Sequence, residues 1–203
     1  MPAISTFDIF KIGVGPSSSH TVGPMKAARA FVDSLEAISG PVAGVSVRLY
    51  GSLAYTGKGH GTDSAVLLGL SGQRPDTLDP DGVEPMLRRI HGERVLNVPG
   101  TGEIPFAPEK DLVFDLEDEL PRHTNGMRFT AFDAAGKELL REDWYSLGGG
   151  FVVRGDEPEP QAQEGEPPFP FTSAFELLQT AEREGLSIAE LMYLNETHWR
   201  SAN

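Results

Sequence analysis

Three stretches of this sequence concentrate side chains able to hold an anion or move a proton. The first is "KIGVGPSSSHTVGPMKAARA", residues 11–30, where Ser17, Ser18 and Ser19 run into His20 and Thr21 among Gly13, Gly15 and Gly23. Glycines let a backbone approach a ligand closely, and hydroxyls with free N–H groups at a helix start make an anion site for carboxylate or phosphate. Capping alone, with Gly23 as N-cap and Pro24 as first helical residue, needs one serine rather than three followed by a histidine. The second stretch is "YGSLAYTGKGHGTDSAV", in which His60 stands between Gly59 and Gly61 at an expected strand-to-helix turn. Flanking glycines leave an imidazole uncrowded, which suits a general base that titrates near neutrality, and Thr62 or Asp63 is the candidate to orient the ring. An ordinary surface turn accounts for such a histidine equally well. In the third, "PRHTNGMRF", His123 and Asn125 precede a strand starting near Met127. Those residues alone favour an Asn-Gly turn beside a solvated histidine. His91 and His198 fall on expected helices beside charged residues and take surface or packing roles.

These stretches need elements to position them. Over residues 19–38, Met25, Ala28, Phe31, Val32 and Leu35 recur at spacings of three and four, an amphipathic helix closed by Gly40-Pro41. Residues 42–54 alternate Val45, Val47 and Leu49 with Ser46 and Arg48, the period of a strand with one buried face. A glycine-rich turn, "TGKGHGTDS", is expected next, then a helix through Ala65–Leu70 with Thr62 or Asp63 as N-cap. Residues 79–93 read as a short exposed helix. "RVLNV", "DLVFDL", "GMRFTAFD" and "KELLREDWYSL" read as strands, the last two joined by a hairpin over Asp133–Gly136.

Residues 155–170 are acidic and proline-rich, a mobile surface loop or linker. Beyond them, Ser173 with Glu176 and Ser187 with Glu190 fit the Ser-x-x-Glu capping box of two helices. Leu177, Leu178 and Ala181 stripe the first, and Ile188, Leu191, Met192 and Leu194 the second, so both need cover from a partner domain or a second copy. The fold class is therefore α+β: a mixed β-sheet packed with helices in one main domain, 1–154, then the 155–170 loop and a helical segment, 171–203. Ending at "NETHWRSAN" with no stop signal or tail, the sequence reads as one that continues.

Composition narrows the function classes. A net charge of −13 over 203 residues, with dispersed Lys and Arg, argues against nucleic acid as a partner. No apolar run approaches the roughly 20 residues of a membrane span, and the N-terminus lacks a signal-peptide pattern, so a cytoplasmic location is expected. Cysteine is absent, which removes disulfides, a thiolate nucleophile and sulfur ligands for zinc or iron-sulfur clusters. With no HExxH, HxH or paired-carboxylate spacing either, no metal is expected on this chain. A nucleotide loop at Gly13-Val14-Gly15 is a weak reading, since no Gly-Lys-Ser/Thr follows and no useful strand precedes it.

Taken together, "FDIFKIGVGPSSSHTVGPMKAA", "GSLAYTGKGHGTD", "HTNGMRF" and "WYSLGGGFV" resemble the β domain of the iron-sulfur-dependent bacterial L-serine dehydratases, in that family's order. With the terminal "FTSAFELLQTAEREGLSIAELMYLNE" the resemblance covers most of the chain. It implies conversion of L-serine to pyruvate and ammonia through aminoacrylate, in serine catabolism. It also implies a [4Fe-4S] cluster held by a separate cysteine-bearing α domain and no cofactor on this chain; the apolar stripes of the last two helices fit docking to that domain or to a second copy, and a homodimer is expected. Carried over by position, His60 becomes the base that removes the α-proton and His123 a second catalytic group. Ser17, Ser18, Ser19, His20, Thr21, Gly61, Thr62, Asp63, Thr124 and Asn125 bind substrate or line its cavity. A similar domain occurs in some D-3-phosphoglycerate dehydrogenases as an allosteric substrate-binding domain, so a regulatory module for serine, phosphate or phosphoglycerate is the alternative.

Overall fold

The computed structural model describes residues 11–13, 15–155, 157–158 and 166–200. They fall into two compact units, one of residues 11–157 and one that contains 166–200. In the first, a π-helical turn, Ser18–Val22, runs directly into α1, Gly23–Leu35. There follow β1 (Gly44–Tyr50), α2 (Gly51–His60), α3 (Thr62–Leu70) and α4 (Pro80–Glu93). Then come β2 (Val95–Val98), β3 (Gly102–Pro105), α5 (Pro108–Asp111), β4 (Leu112–Asp115), β5 (Gly126–Phe132), β6 (Glu138–Gly148) and β7 (Phe151–Arg154).

Five strands form one mixed sheet in the order β4-β1-β5-β6-β7, and β2 and β3 pair as a separate ribbon. The β1/β4 pair is parallel, with Val47 opposite Leu112, and the rest of the large sheet is antiparallel. This is the α+β arrangement that the order of elements implies. The period-two reading of β1 holds: Val45, Val47 and Leu49 are buried together with Met127, Phe129 and Ala131 of the neighbouring strand. Helix α1 lies in the same core through Ala27, Ala28, Phe31, Val32 and Leu35, and the Phe31 and Phe129 rings stack at 5.2 Å. Helix α3 crosses α1 so closely that a Cβ at Gly69 would sit 2.4 Å from the Met25 carbonyl oxygen, a contact only glycine tolerates.

The main correction concerns residues 51–60. The expected glycine-rich turn is a helix, α2, and His60 is its last residue rather than part of a strand-to-helix loop. Strand β1 accordingly stops at Tyr50. Gly61, in the left-handed region at φ 73°, both ends α2 and opens α3, so neither Thr62 nor Asp63 is the N-cap. The four-residue strands β3 and β7 carry no alternation long enough to be read from sequence.

In the second unit, α6 (Ala174–Glu184) and α7 (Ile188–Trp199) begin at the expected serines. Ser187 and Glu190 form a complete capping box. At α6 the serine half is present, but Glu176 accepts from the Thr172 amide and hydroxyl, one residue upstream of its expected partner. Ala181 and Leu191 are buried, whereas Leu178, Ile188 and Leu194 are exposed. Half of the acidic 155–170 segment lies outside the described residues. Among those described, no helix is long and apolar enough to cross a membrane.

Candidate active site

Ser17, extended at φ −141° and ψ 126°, caps the π-helical turn, its Oγ accepting from the His20 amide at 3.2 Å. The cap therefore lies six residues before the expected Gly23. What requires glycine at 23 is space, since a Cβ there would fall 2.2 Å from Ser146 Oγ. Ser17 Oγ lies 3.3 Å from Ser19 Oγ, which lies 3.0 Å from His20 Nδ1. Thr21 is buried and its hydroxyl donates to the Ser17 carbonyl. Ser18 makes no side-chain hydrogen bond among the described residues.

Helix α2 faces this turn. Ser52, Thr56 and His60 are spaced by four, which aligns them on one face of a helix. His20 Nε2 is 3.0 Å from Thr56 Oγ1 and 3.3 Å from Ser52 Oγ. His60 Nδ1 is 2.8 Å from the Thr56 carbonyl oxygen. A carbonyl only accepts, so Nδ1 carries the proton and the neutral ring presents an Nε2 lone pair, with no partner among the described residues. The two imidazoles lie 4.8 Å apart, tilted by 41°. Burial, and then the nearby His60, hold His20 below its ordinary value of 6.5, while a hydrogen bond with Ser52 opposes them. The sequence assigned the orienting of His60 to Thr62 or Asp63, but the ring is held by the Thr56 carbonyl. Thr62, fully buried, donates instead to the His20 carbonyl at 2.6 Å. Asp63 accepts from the Ser64 amide and lines a separate cavity with Lys58, His91 and Phe114.

The third loop closes on the same cluster from the sheet side. The Ser52 amide donates to the carbonyl and hydroxyl of Thr124, at 3.0 and 3.1 Å. Gly51, at φ 51°, makes this approach possible, because a Cβ there would lie 2.4 Å from the Thr124 carbonyl oxygen. Asn125 is buried, its Nδ2 donating to the Ser146 carbonyl at 3.1 Å, while Ser146 Oγ donates to the Ser19 carbonyl at 2.8 Å. Asn125 Oδ1 is buried with no hydrogen-bond partner among the described residues. An orphaned acceptor of this kind costs about 1–3 kcal/mol and is an opening for an N–H donor. His123 Nδ1 accepts from the Asn125 amide at 3.0 Å, its one hydrogen bond among the described residues.

The structure thus joins the serine turn, α2 and the 123–125 loop into one hydrogen-bonded cluster. Ser52, Thr56 and Ser146 belong to it and were not singled out from sequence. The spacing of Ser52, Thr56 and His60 would have pointed to the first two had residues 51–60 been read as helical. The cluster combines an available imidazole lone pair, several hydroxyls and an unsatisfied amide oxygen, groups suited to binding a small polar molecule and taking a proton from it. Among the described residues, no three His, Asp or Glu side chains are grouped to hold a metal, and the sequence has no cysteine. The donors present do not fit an iron-sulfur cluster.

Residues 5–157 match the family model described as the serine dehydratase beta chain. The chain is 47% identical over 205 residues to an L-serine dehydratase of Streptomyces coelicolor, covering 98% of this chain and 45% of that protein. It is 45% identical over 200 residues to L-serine dehydratase 2 of Escherichia coli, covering 95% and 43% of the two chains. Against an L-serine dehydratase of Helicobacter pylori the identity is 43% over 199 residues, covering 97% and 44%. The chain spans less than half the length of these curated relatives.

Proposed function

The chain belongs to the serine dehydratase beta-chain family, and on that premise we propose that it supplies the base and the substrate-holding groups of an L-serine ammonia-lyase. The reaction removes the serine α-proton and the β-hydroxyl as water, leaving aminoacrylate. Its imine tautomer then adds water to give pyruvate and ammonia. His60 is the base. Its Nδ1–H donates to the Thr56 carbonyl, which fixes the ring and leaves Nε2 to accept the α-proton. The charge so gained sits in the last turn of α2, at the favourable end of the helix dipole.

The serine turn holds the substrate carboxylate, with the Ser18 hydroxyl as donor and Ser17 and Ser19, whose hydroxyls are engaged with each other and with His20, lining the wall beside it. Asn125 offers its unpaired Oδ1 to the substrate amino group, with His123 and Thr124 completing that wall. Thr21, Thr62 and Gly61 act by shaping the backbone, and His20 by linking the serine turn to α2. Since no thiolate is available here, the family's [4Fe-4S] cluster belongs to a partner segment, in the same chain or another, of the kind the longer relatives have room for.

The observation that carries this reading is the convergence of three separate sequence blocks on one cluster in which, among the described residues, His60 is the only imidazole with an unpartnered ring nitrogen poised as acceptor beside the serine turn. The test is complementation. The 203-residue chain alone should form no pyruvate from L-serine, and adding the anaerobically reconstituted remaining part of a full-length relative should restore it. Turnover by the isolated chain contradicts the division of labour. Tight phosphate-dependent binding with no turnover on complementation would favour a regulatory module instead.

A further inference from the structure

Thr56 is the one residue of the cluster that touches both imidazoles, through different atoms. Its carbonyl oxygen is 2.8 Å from His60 Nδ1, and its hydroxyl oxygen is 3.0 Å from His20 Nε2. The two contacts are not independent. The Thr56 hydroxyl also lies 2.9 Å from the Ser52 carbonyl oxygen, one turn back in α2, and a carbonyl takes only a donated proton. With its proton committed there, the hydroxyl meets His20 as an acceptor, so Nε2 must carry the hydrogen. Nδ1 of His20 is then an acceptor and takes the Ser19 hydroxyl proton across 3.0 Å, which leaves the Ser19 oxygen to accept from Ser17 across 3.3 Å. Each donor has an acceptor, and the sense of the whole chain from Ser17 to Ser52 is set at Thr56.

We propose that Thr56 is a positioning residue that fixes the tautomer of His20, and through it the hydroxyl directions of the serine turn, while its carbonyl aims His60. Neither composition nor the resemblance of the sequence blocks assigns it this part. It rests on the proposed function only for the consequence in catalysis; the tautomer is a property of the chain itself. Thr56 is exposed on α2, so substitution there leaves the core intact. Loss of the hydroxyl leaves His20 Nε2 only its weaker contacts with Ser52, one to the hydroxyl at 3.3 Å and one to the backbone, so the Nε2–H tautomer is held less firmly and the other becomes more accessible.

The experiment compares Thr56→Val, which keeps shape but not the hydroxyl, with Thr56→Ser, which keeps the hydroxyl. Imidazole nitrogen shifts of the 203-residue chain, read by long-range proton–nitrogen correlation across pH, should show His20 protonated at Nε2 and His60 at Nδ1 when neutral. In Thr56→Val the His20 signals should move toward a tautomer mixture while His60 keeps its Nδ1–H form. Thr56→Ser should restore the wild-type pattern. In the complemented enzyme, Thr56→Val should lower kcat by roughly 10- to 100-fold with KM changed far less. An unchanged His20 tautomer in a folded Thr56→Val chain overturns the proposal, as does a Thr56→Ser chain that behaves like the valine variant. If the wild-type assembly makes no pyruvate, the proposed function fails and the nitrogen shifts still decide the role of Thr56.

Discussion

Helices α2 and α3 meet at Gly61, are of similar length and are made for opposite ends. Helix α3 buries Thr62 and the whole run from Ala65 to Leu70, so its sequence is set by the core. Helix α2 carries three glycines, exposes Tyr55, Thr56, Lys58 and Gly59, and buries little beyond Leu53 and Ala54. Glycine within a helix costs about 1 kcal/mol relative to alanine, so α2 is a poor helix by propensity and is held by its surroundings. Two of its glycines are explained by close approach: Gly51 by the Thr124 carbonyl, and Gly57 by Thr62 Oγ1, 2.9 Å from where a Cβ would sit. The same approaches bring Ser52, Thr56 and His60 against the serine turn and the 123–125 loop. Core packing is concentrated in one helix and the polar cluster in its neighbour.

Substitutions can break that contrast, and the largest expected effect is in α3. Leu67→Ala empties a site that is 1% exposed, and should lower unfolding stability by about 2–5 kcal/mol in urea titrations. A loss near zero would mean α3 is not the stability-bearing partner. Next is Gly51→Ala, which places a side chain at φ 51° against a backbone oxygen and should lose about 1–3 kcal/mol. Gly59 is the control: nothing lies near its would-be Cβ and its φ is not positive, so Gly59→Ala should gain about 0.5–1 kcal/mol. Equal effects at 51 and 59 would undo the argument from close approach.

The smallest effect is in pH dependence. Burial and His60 lower the His20 value on folding, so below its ordinary 6.5 the unfolded chain binds more protons than the folded one. The stability associated with neutral His20 is present above about pH 6.5 and is lost as pH falls through the lowered value. Unfolding midpoints between pH 7.5 and 5 should therefore fall less steeply in His20→Gln than in the wild type. Equal slopes would mean that His20 is not held neutral by the fold.

The same contrast explains what the sequence could disclose. Alternation at Val45, Val47 and Leu49 and the Ser187–Glu190 capping box are local patterns, and both elements stand where those patterns put them. The glycines of α2 suppress its helical signal, because what holds the segment is Thr124 and Phe114, remote in sequence, with Thr62 just past its end. Reading it as a turn hid the shared face of Ser52, Thr56 and His60. Ser146 sits in the quoted "WYSLGGG", yet its bond to the Ser19 carbonyl spans 127 positions and has no local signature. The chemistry of the three loops was visible as residue types; which groups meet was not.

The division between the two helices turns on the proposed role of His60 as acceptor of the serine α-proton. Turnover of L-serine by the complemented His60→Gln variant, with folding verified by its amide spectrum, decides that role. The expected result is a fall in kcat of about 10²- to 10⁴-fold, with serine still bound. A rate within about twofold of wild type, where general-base loss should cost far more, would contradict it.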